Sequence, residues 1–145
     1  RQMCIRDSYC FGQEQLPATG DTLFITGGEK DVLSLAAHGF PAICFGSETV
    51  RIPHRLIKEL SQRFQNIILL YDMDVTGKKQ AIALQQELAE YNVSRIELPL
   101  AGTKQEKDIS DYFRLGHTAT EFRRLMPRPE VRQYTQHKNG QTFKH

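Results

Sequence analysis

The sequence predicts an α/β fold in which a small, mainly parallel sheet is flanked by helices. Three apolar runs of strand length, at residues 23–26, 41–45 and 66–71, are each followed by a segment whose apolar residues recur at helical spacing. Strands that alternate with helices in this way pair in parallel through right-handed crossovers. A chain of 145 residues is long enough for one such domain with a buried core and short for two.

The individual elements follow from their boundaries. The first strand ends at Gly27 and Gly28, where a tight turn leads into a helix that Gly39 closes. The run at residues 66–71 is continuously apolar, as expected of a strand covered on both faces, and we expect it to be the central strand. The other predicted elements are helices over residues 53–64, 78–91, 108–115 and 118–126 and a short strand over residues 95–98.

Composition divides the chain into three segments. Residues 1–20 form a lead-in, of which residues 1–8 join no pattern and are interpreted as a non-native remnant. Residues 21–116 form the predicted domain. Residues 117–145 carry a helix and a basic linker toward a further domain, with six basic residues against two acids. Such a tail suits contact with phosphates, but a solvated linker has the same composition.

Several classes of protein are not indicated. No apolar run approaches the roughly 20 residues that span a bilayer, and no secretory leader pattern is present, so we expect a cytoplasmic protein without membrane association. The three cysteines show no C-x-x-C spacing, which argues against a disulfide framework or a zinc site. No phosphate-binding loop ending in Lys-Ser or Lys-Thr occurs, which argues against ATP hydrolysis.

Acidic side chains follow the predicted strands, at the sheet edge where ligands of parallel sheets bind. Asp72 and Asp74 come directly after the most apolar strand, and alternation in an extended segment points both carboxylates the same way. Mg²⁺ prefers oxygen ligands and commonly takes one or two carboxylates, so the pair predicts a site for Mg²⁺ or Mn²⁺. Two acids near a helix N-terminus are also stabilised by the helix dipole alone. The other acids at these strand ends are Glu29, Asp31, Glu48, Asp108 and Asp111.

Three motifs follow one another along the chain. They are LFITGGEKDVLSL at residues 23–35, ILLYDMDVTGKKQA at residues 68–81, and KDISDY at residues 107–112. In this order they resemble the three motifs of the toprim domain of bacterial and phage-type DNA primases. The lead-in at residues 11–17 is similar to the segment before that domain in phage primase-helicases and in primases of mobile genetic elements. The resemblance covers residues 11–115 and implies a Rossmann-like toprim topology.

The resemblance implies Mg²⁺-dependent nucleotidyl transfer in RNA primer synthesis during DNA replication. It implies a single-stranded DNA template and nucleoside triphosphates as partners, and zinc-binding and helicase domains in the same protein or replisome. Asp72 and Asp74 match the Asp-x-Asp acids that bind the metal in this family, and Asp108 matches the acid of the third motif. A helix N-cap would explain Asp108 equally well. Lys78 and Lys79 suit contacts with nucleic-acid phosphates, or simply a solvated helix face.

One position departs from the family pattern. When residues 27–31 are compared with the family's Glu-Gly-Glu-x-Asp, Gly27 stands where the catalytic glutamate should be, and glycine has no side chain to move a proton. Glu29 matches the second acid of the motif and is the candidate substitute. Asp31 matches the final acid. Both residues also suit the first turn of a helix, where acids interact favourably with the helix dipole.

Three functions are therefore open. The first is a DNA primase fragment. The second is a non-catalytic toprim module that binds nucleic acid or nucleotides and lost turnover with the change at Gly27. The third is a toprim nuclease or topoisomerase fragment. A topoisomerase needs a nucleophilic tyrosine from another domain, and the sequence singles out no tyrosine, while the lead-in favours the primase.

Overall fold

A five-stranded sheet forms the centre of the molecule. The computed structural model of the protein describes residues 10–46 and 52–127. Across this part of the chain the strand order is β1-β3-β2-β4-β5, with β1 antiparallel to β3 and every other pair parallel. This architecture confirms the predicted α/β fold with a small, mainly parallel sheet. The strands are β1 (Cys10–Phe11), β2 (Gly20–Thr26), β3 (Ala42–Phe45), β4 (Phe64–Leu70) and β5 (Ser94–Arg95).

Helices cover both faces of the sheet. The α-helices of the described residues are α1 (Glu29–Ala37), α2 (His54–Arg63), α3 (Val75–Glu87), α4 (Ile109–Arg114) and α5 (Ala119–Arg123), and 3-10 turns lie at Gln13–Gln15 and Ala89–Tyr91. None of these helices is long and apolar enough to cross a membrane. The predictions made for residues 1–8, for Glu48 and for the basic residues after Pro127 fall outside the described residues.

Two apolar layers hold the helices against the sheet. Because neighbouring residues of a strand point to opposite faces, β2 and β4 contribute to both layers. On one face, Phe24 and Ile68 belong to a layer that includes side chains of α1, α4 and α5. On the other face, Ile25 and Leu69 pack with side chains of α2 and α3. The residues between the strands and the first turns of α1, α3 and α4 carry the acids discussed below.

The structure corrects the prediction that the most apolar strand is central. β2 occupies the centre, and β4 lies between β2 and the two-residue β5. The continuous apolar run of β4 reflects helices on both faces rather than a place in the strand order, and β2 is as deeply buried over residues 23–26. The lead-in, for which no strand was predicted, supplies β1 through pairing of Cys10 and Phe11 with β3.

The turn from β4 into α3 brings the helix start very close to the acidic loop. Gly77 is buried in the first turn of α3, and a Cβ added to it would overlap the carbonyl oxygen and Cβ of Asp72. Asp74 caps the same helix, since one of its carboxylate oxygens accepts a hydrogen bond of 2.8 Å from the Gly77 amide. A glycine at this position therefore allows the loop that carries Asp72 and Asp74 to fold back on α3.

We expect Gly77→Ala to lower the free energy of unfolding by about 1–3 kcal/mol, because its methyl group has to displace backbone atoms of Asp72. Urea unfolding followed by circular dichroism measures the change. Gly28→Ala is the matched control, since a Cβ there meets nothing within 4 Å. Gly28 is the N-cap of α1, where alanine is less favourable than glycine, so a cost well under that of Gly77→Ala is expected. Equal losses in the two variants would contradict this account of the turn.

Candidate metal centre

Three carboxylates meet at the carboxyl ends of β2 and β4. They belong to Asp31 in the first turn of α1, Asp72 two residues after β4, and Asp108 at the N-cap of α4. One oxygen from each lies within 4.8 Å of the others. Asp31 and Asp108 are buried and Asp72 is half-buried. We call this group the three-aspartate cluster.

Three different chain segments deliver these side chains. β2 and β4 are parallel neighbours with Thr26 opposite Leu70, so the turns that follow them emerge side by side. Asp31 and Asp72 come from those two turns. The third segment is held by the Met73 amide, which donates a hydrogen bond of 2.6 Å to the Lys107 carbonyl and so places Asp108 next to the Asp72 loop.

Asp108 serves as a helix cap and also faces the cluster. One of its oxygens accepts a hydrogen bond of 2.9 Å from the Asp111 amide, and the Asp108 amide donates a bond of 3.3 Å to the Asp111 carboxylate. The two interpretations made from the sequence are thus compatible, because a carboxylate has two oxygens. The second oxygen lies 3.4 Å from the ammonium of Lys30, a side chain that is otherwise largely exposed.

Asp31 is positioned by a chain of hydroxyl groups. The Ser110 hydroxyl donates a hydrogen bond of 2.9 Å to Asp31, and the Ser34 and Ser110 hydroxyl oxygens are 2.7 Å apart. Because the Ser110 proton is directed at the carboxylate, Ser34 donates to Ser110. Burial, and then the charge of Asp108, raises the pKa of the Asp31 carboxyl from 3.8 to about 6, although the bond from Ser110 opposes the shift. Burial followed by the charge of Asp108 also raises the pKa of Asp72.

The donor set fits a hard divalent cation. Carboxylate oxygens are the ligands that Mg²⁺ and Mn²⁺ favour. One oxygen of each carboxylate lies within 4.8 Å of the other two, which is close enough for Asp31, Asp72 and Asp108 to hold one ion together. The raised pKa of Asp31 means that its buried charge lacks a full counter-charge. A divalent cation would supply that charge and leave further coordination positions for water or phosphate.

Asp74 lies beside the three-aspartate cluster and is not one of its members. One of its oxygens caps α3, and the other lies 3.9 Å from the ammonium of Lys107. The same ammonium is 3.9 Å from a carboxylate oxygen of Asp72. The structure therefore brings the predicted residues Asp72 and Asp108 together with Asp31, whereas Asp72 and Asp74 are bridged by a lysine.

Gly27 and Glu29 occupy the turn after β2. Glu29 is exposed as the first residue of α1 and is not among the three clustered carboxylates. A Cβ added to Gly27 would lie 3.3 Å from Cδ2 of Tyr71, so the tyrosine ring packs against the point where a longer side chain would begin. Burial raises the pKa of the Tyr71 phenol to about 12, so the ring stays neutral and supplies no base at neutral pH.

Two lysines contact the aspartates, and two others lie further away on α3. Lys78 and Lys79, predicted to contact phosphates, are exposed in the first turns of α3, and the Lys78 ammonium lies 3.9 Å from a carboxylate oxygen of Glu97. Lys30 and Lys107 approach the aspartates themselves. The sequence interpretation missed these two lysines and Ser110, although Lys107 and Ser110 flank Asp108 within the third motif and their position was a usable signal.

Comparisons with known proteins agree with this architecture. The model of the Toprim-like family matches residues 24–113. A structure of the bacteriophage T7 lagging-strand DNA polymerase interacting with primase domains of two gp4 subunits, bound to an RNA/DNA hybrid and dTTP, is similar at a TM-score of 0.52 and 24% identity. That match covers 80% of this chain and 58% of the other. The crystal structure of the primase fragment of the bacteriophage T7 primase-helicase is similar at a TM-score of 0.50 and 24% identity, covering 80% and 47%.

The three comparisons differ in what they establish. No curated protein sequence matches the chain. The chain spans about half the length of the two T7 chains, and at 24% identity these show a shared fold. The family match is more specific, because it covers well over half of the chain and includes the three-aspartate cluster, Asp74 and Lys107. The resemblance found in the sequence is thereby confirmed, and the chain belongs to the Toprim-like family.

Proposed function

We propose that this chain is the metal-binding toprim portion of a DNA primase and takes part in Mg²⁺-dependent nucleotidyl transfer during RNA primer synthesis. The observation that carries the proposal is the convergence of Asp31, Asp72 and Asp108 at the ligand-binding edge of a toprim sheet. A bound Mg²⁺ or Mn²⁺ would neutralise triphosphate charge and act as a Lewis acid on a phosphoryl oxygen.

Different residues of the chain would bind the metal ion and the phosphates. Asp31 and Asp108 are buried and fixed by hydrogen bonds, so they form the rigid side of the ion site, and the half-buried Asp72 forms the side that faces incoming phosphates. Lys78 and Lys79 project from the exposed start of α3, where they would contact template or nucleotide phosphates.

The proposed reaction joins a primer to a nucleotide. The primer 3′-hydroxyl attacks the α-phosphate of a nucleoside triphosphate, a phosphorus–oxygen bond forms, and the bond to pyrophosphate breaks. The hydroxyl proton passes to a base or to water, and Glu29 is the candidate base among the residues of the first motif. We propose single-stranded DNA as the template, and zinc-binding and helicase domains as partners in a cytoplasmic replication protein of the phage or mobile-element type.

A second candidate function is a non-catalytic toprim module that binds metal and nucleotides without turnover. The specific observation in its favour is the pair formed by Gly27 and Tyr71. The position of the family's catalytic glutamate holds a glycine, and a neutral aromatic ring packs against it. A toprim nuclease or topoisomerase is less well supported, because the two T7 structures described above contain primase domains.

We expect Asp72→Asn to weaken Mn²⁺ binding at least tenfold, because the change removes the charge of one ligand and leaves a side chain of the same shape. Isothermal titration calorimetry with MnCl₂ at pH 7.5 measures the affinity. Asp21→Asn is the matched control, since Asp21 is exposed near the opposite end of β2. Equal affinities for the two variants, or no Mn²⁺ binding by the parent protein, would remove the basis of the proposal.

We expect Asp31→Asn to stabilise the metal-free protein at pH 8 by about 1–3 kcal/mol and to have little effect near pH 4. The folded-state pKa of Asp31, about 6, lies above the ordinary value of 3.8, so the folded protein binds the proton more tightly than the unfolded chain. Stability of the parent therefore falls as pH rises from about 4 to 6, and the neutral asparagine avoids that loss. Denaturant titrations at several pH values, with EDTA present, measure the difference. A difference between variant and parent that does not grow with pH would contradict the prediction.

We expect Gly27→Glu to raise primer synthesis by the full-length protein at least tenfold, because it places a general base at the position where the family pattern has its catalytic glutamate. Gly27→Gln is the control, since it adds the same bulk against Tyr71 without a base. Primer formation on single-stranded DNA with labelled nucleotides measures the rate. An active parent that gains nothing would assign the role to Glu29, and a complete lack of activity in every variant would favour the non-catalytic module.

A further inference from the structure

The ammonium of Lys107 lies between the two acids of the Asp-x-Asp pair. Its Nζ is 3.9 Å from Oδ2 of Asp72 and 3.9 Å from Oδ2 of Asp74. These two carboxylates are the pair for which the sequence predicts a cation. The three-aspartate cluster shares only Asp72 with this pair, so the site contains two neighbouring positions for positive charge, and a lysine stands at one of them.

The main chain of Lys107 is fixed at both of its polar groups. Its carbonyl accepts the 2.6 Å hydrogen bond from the Met73 amide, and its amide donates a bond of 3.0 Å to a carboxylate oxygen of Asp111. Met73 is the residue between the two acids. An ion pair between mobile surface side chains contributes little, partly because ordering both chains costs entropy. Here the backbone anchor holds the base of the lysine side chain next to the acids, which reduces that cost.

The charges of the site balance with a single divalent ion. Asp31, Asp72, Asp74 and Asp108 carry four negative charges when all are ionised. Lys30 and Lys107 offset two of them. The neighbouring Asp111 is paired with Arg114 at 3.2 Å. One divalent cation in the three-aspartate cluster therefore neutralises the site, and a second would leave it with two excess positive charges while Lys107 stays in place.

The Lys107 position also offers few ligands to a divalent ion. Gly27, which stands at the position of the family's catalytic glutamate, provides no carboxylate, and Tyr71 packs against it. One oxygen of Asp74 is committed to the helix cap, which leaves one oxygen from that residue. Mg²⁺ dehydrates reluctantly and requires nearly octahedral coordination, whereas an ammonium group needs only acceptors within reach. The residues present suit the lysine better than a hydrated metal ion.

We propose that Lys107 is a built-in cation that takes the place of a second metal ion between Asp72 and Asp74, so that this centre binds one divalent ion. The inference rests on the proposed metal-binding function and specifies it further. Lys107 acts as a positioning residue, since it holds the Asp72 and Asp74 carboxylates in place without a metal on that side. Phosphate groups that approach Asp72 would meet one metal ion and one ammonium group.

The experiment counts bound ions. Mn²⁺ is titrated into the full chain at pH 7.5, and electron paramagnetic resonance of free Mn²⁺ gives the number of ions bound per chain. We expect one ion for the parent protein. We expect two ions for Lys107→Met, because removal of the ammonium leaves Asp72 and Asp74 without a counter-charge. Lys107→Arg keeps the charge and should bind one ion, as should the control Lys104→Met, which alters an exposed lysine three residues away.

The possible outcomes distinguish a failure of this inference from a failure of the proposed function. No Mn²⁺ binding by the parent overturns both. If the parent binds two ions, the role of Lys107 is wrong and the metal-binding function stands. The same conclusion follows if Lys107→Met is folded and still binds one ion. Circular dichroism melting of each variant shows whether it is folded. If Lys107→Met does not fold, the parent count and the Lys107→Arg count decide the question, since the inference requires one ion in both.

Discussion

The hydrogen bond from the Met73 amide to the Lys107 carbonyl joins the two loops on which the centre depends. These residues are far apart in sequence, and each lies next to a member of the three-aspartate cluster. Met73 is further fixed because its sulfur accepts a hydrogen bond of 3.1 Å from the Leu98 amide. The Met73–Lys107 bond therefore holds Asp72 and Asp108 next to each other in the three-aspartate cluster.

Several negatively charged side chains lie close together at the candidate metal centre. Burial and mutual repulsion raise the pKa values of Asp31 and Asp72, which means that their ionised forms lower the stability of the metal-free fold. Hydroxyl donation from Ser110 and the ammonium groups of Lys30 and Lys107 reduce that cost in part. The two apolar layers of the sheet supply the remaining stability. Such a balance, in which a fold retains unfavourable charge at one edge, is typical of ligand sites.

The sequence predicts those parts of the structure that depend on local patterns. Apolar runs locate β2 and β4, and the acids after them were therefore placed correctly at one sheet edge. The strand order was harder to predict, because the apolar run of β4 shows that this strand is buried but not which strands lie beside it. Asp31 could point from α1 either into solvent or toward a metal site. Which of the two occurs depends on where Asp72 and Asp108 lie, and no local sequence pattern encodes their positions. The same holds for Lys107, whose side chain meets Asp72 and Asp74 only after the loops associate.

Gly27, where the chain departs from the family pattern, is not part of the three-aspartate cluster. Asp31, Asp72 and Asp108 converge without any contribution from Gly27, and Asp31 and Asp108 are held by hydrogen bonds. Gly27 lacks the negative charge that the family pattern would place at its position, and Lys107 places a positive charge beside Asp74. Both features act in the same direction, since each reduces the demand for a second metal ion. The three-aspartate cluster thus depends on residues other than Gly27, the position at which the family pattern has its catalytic glutamate.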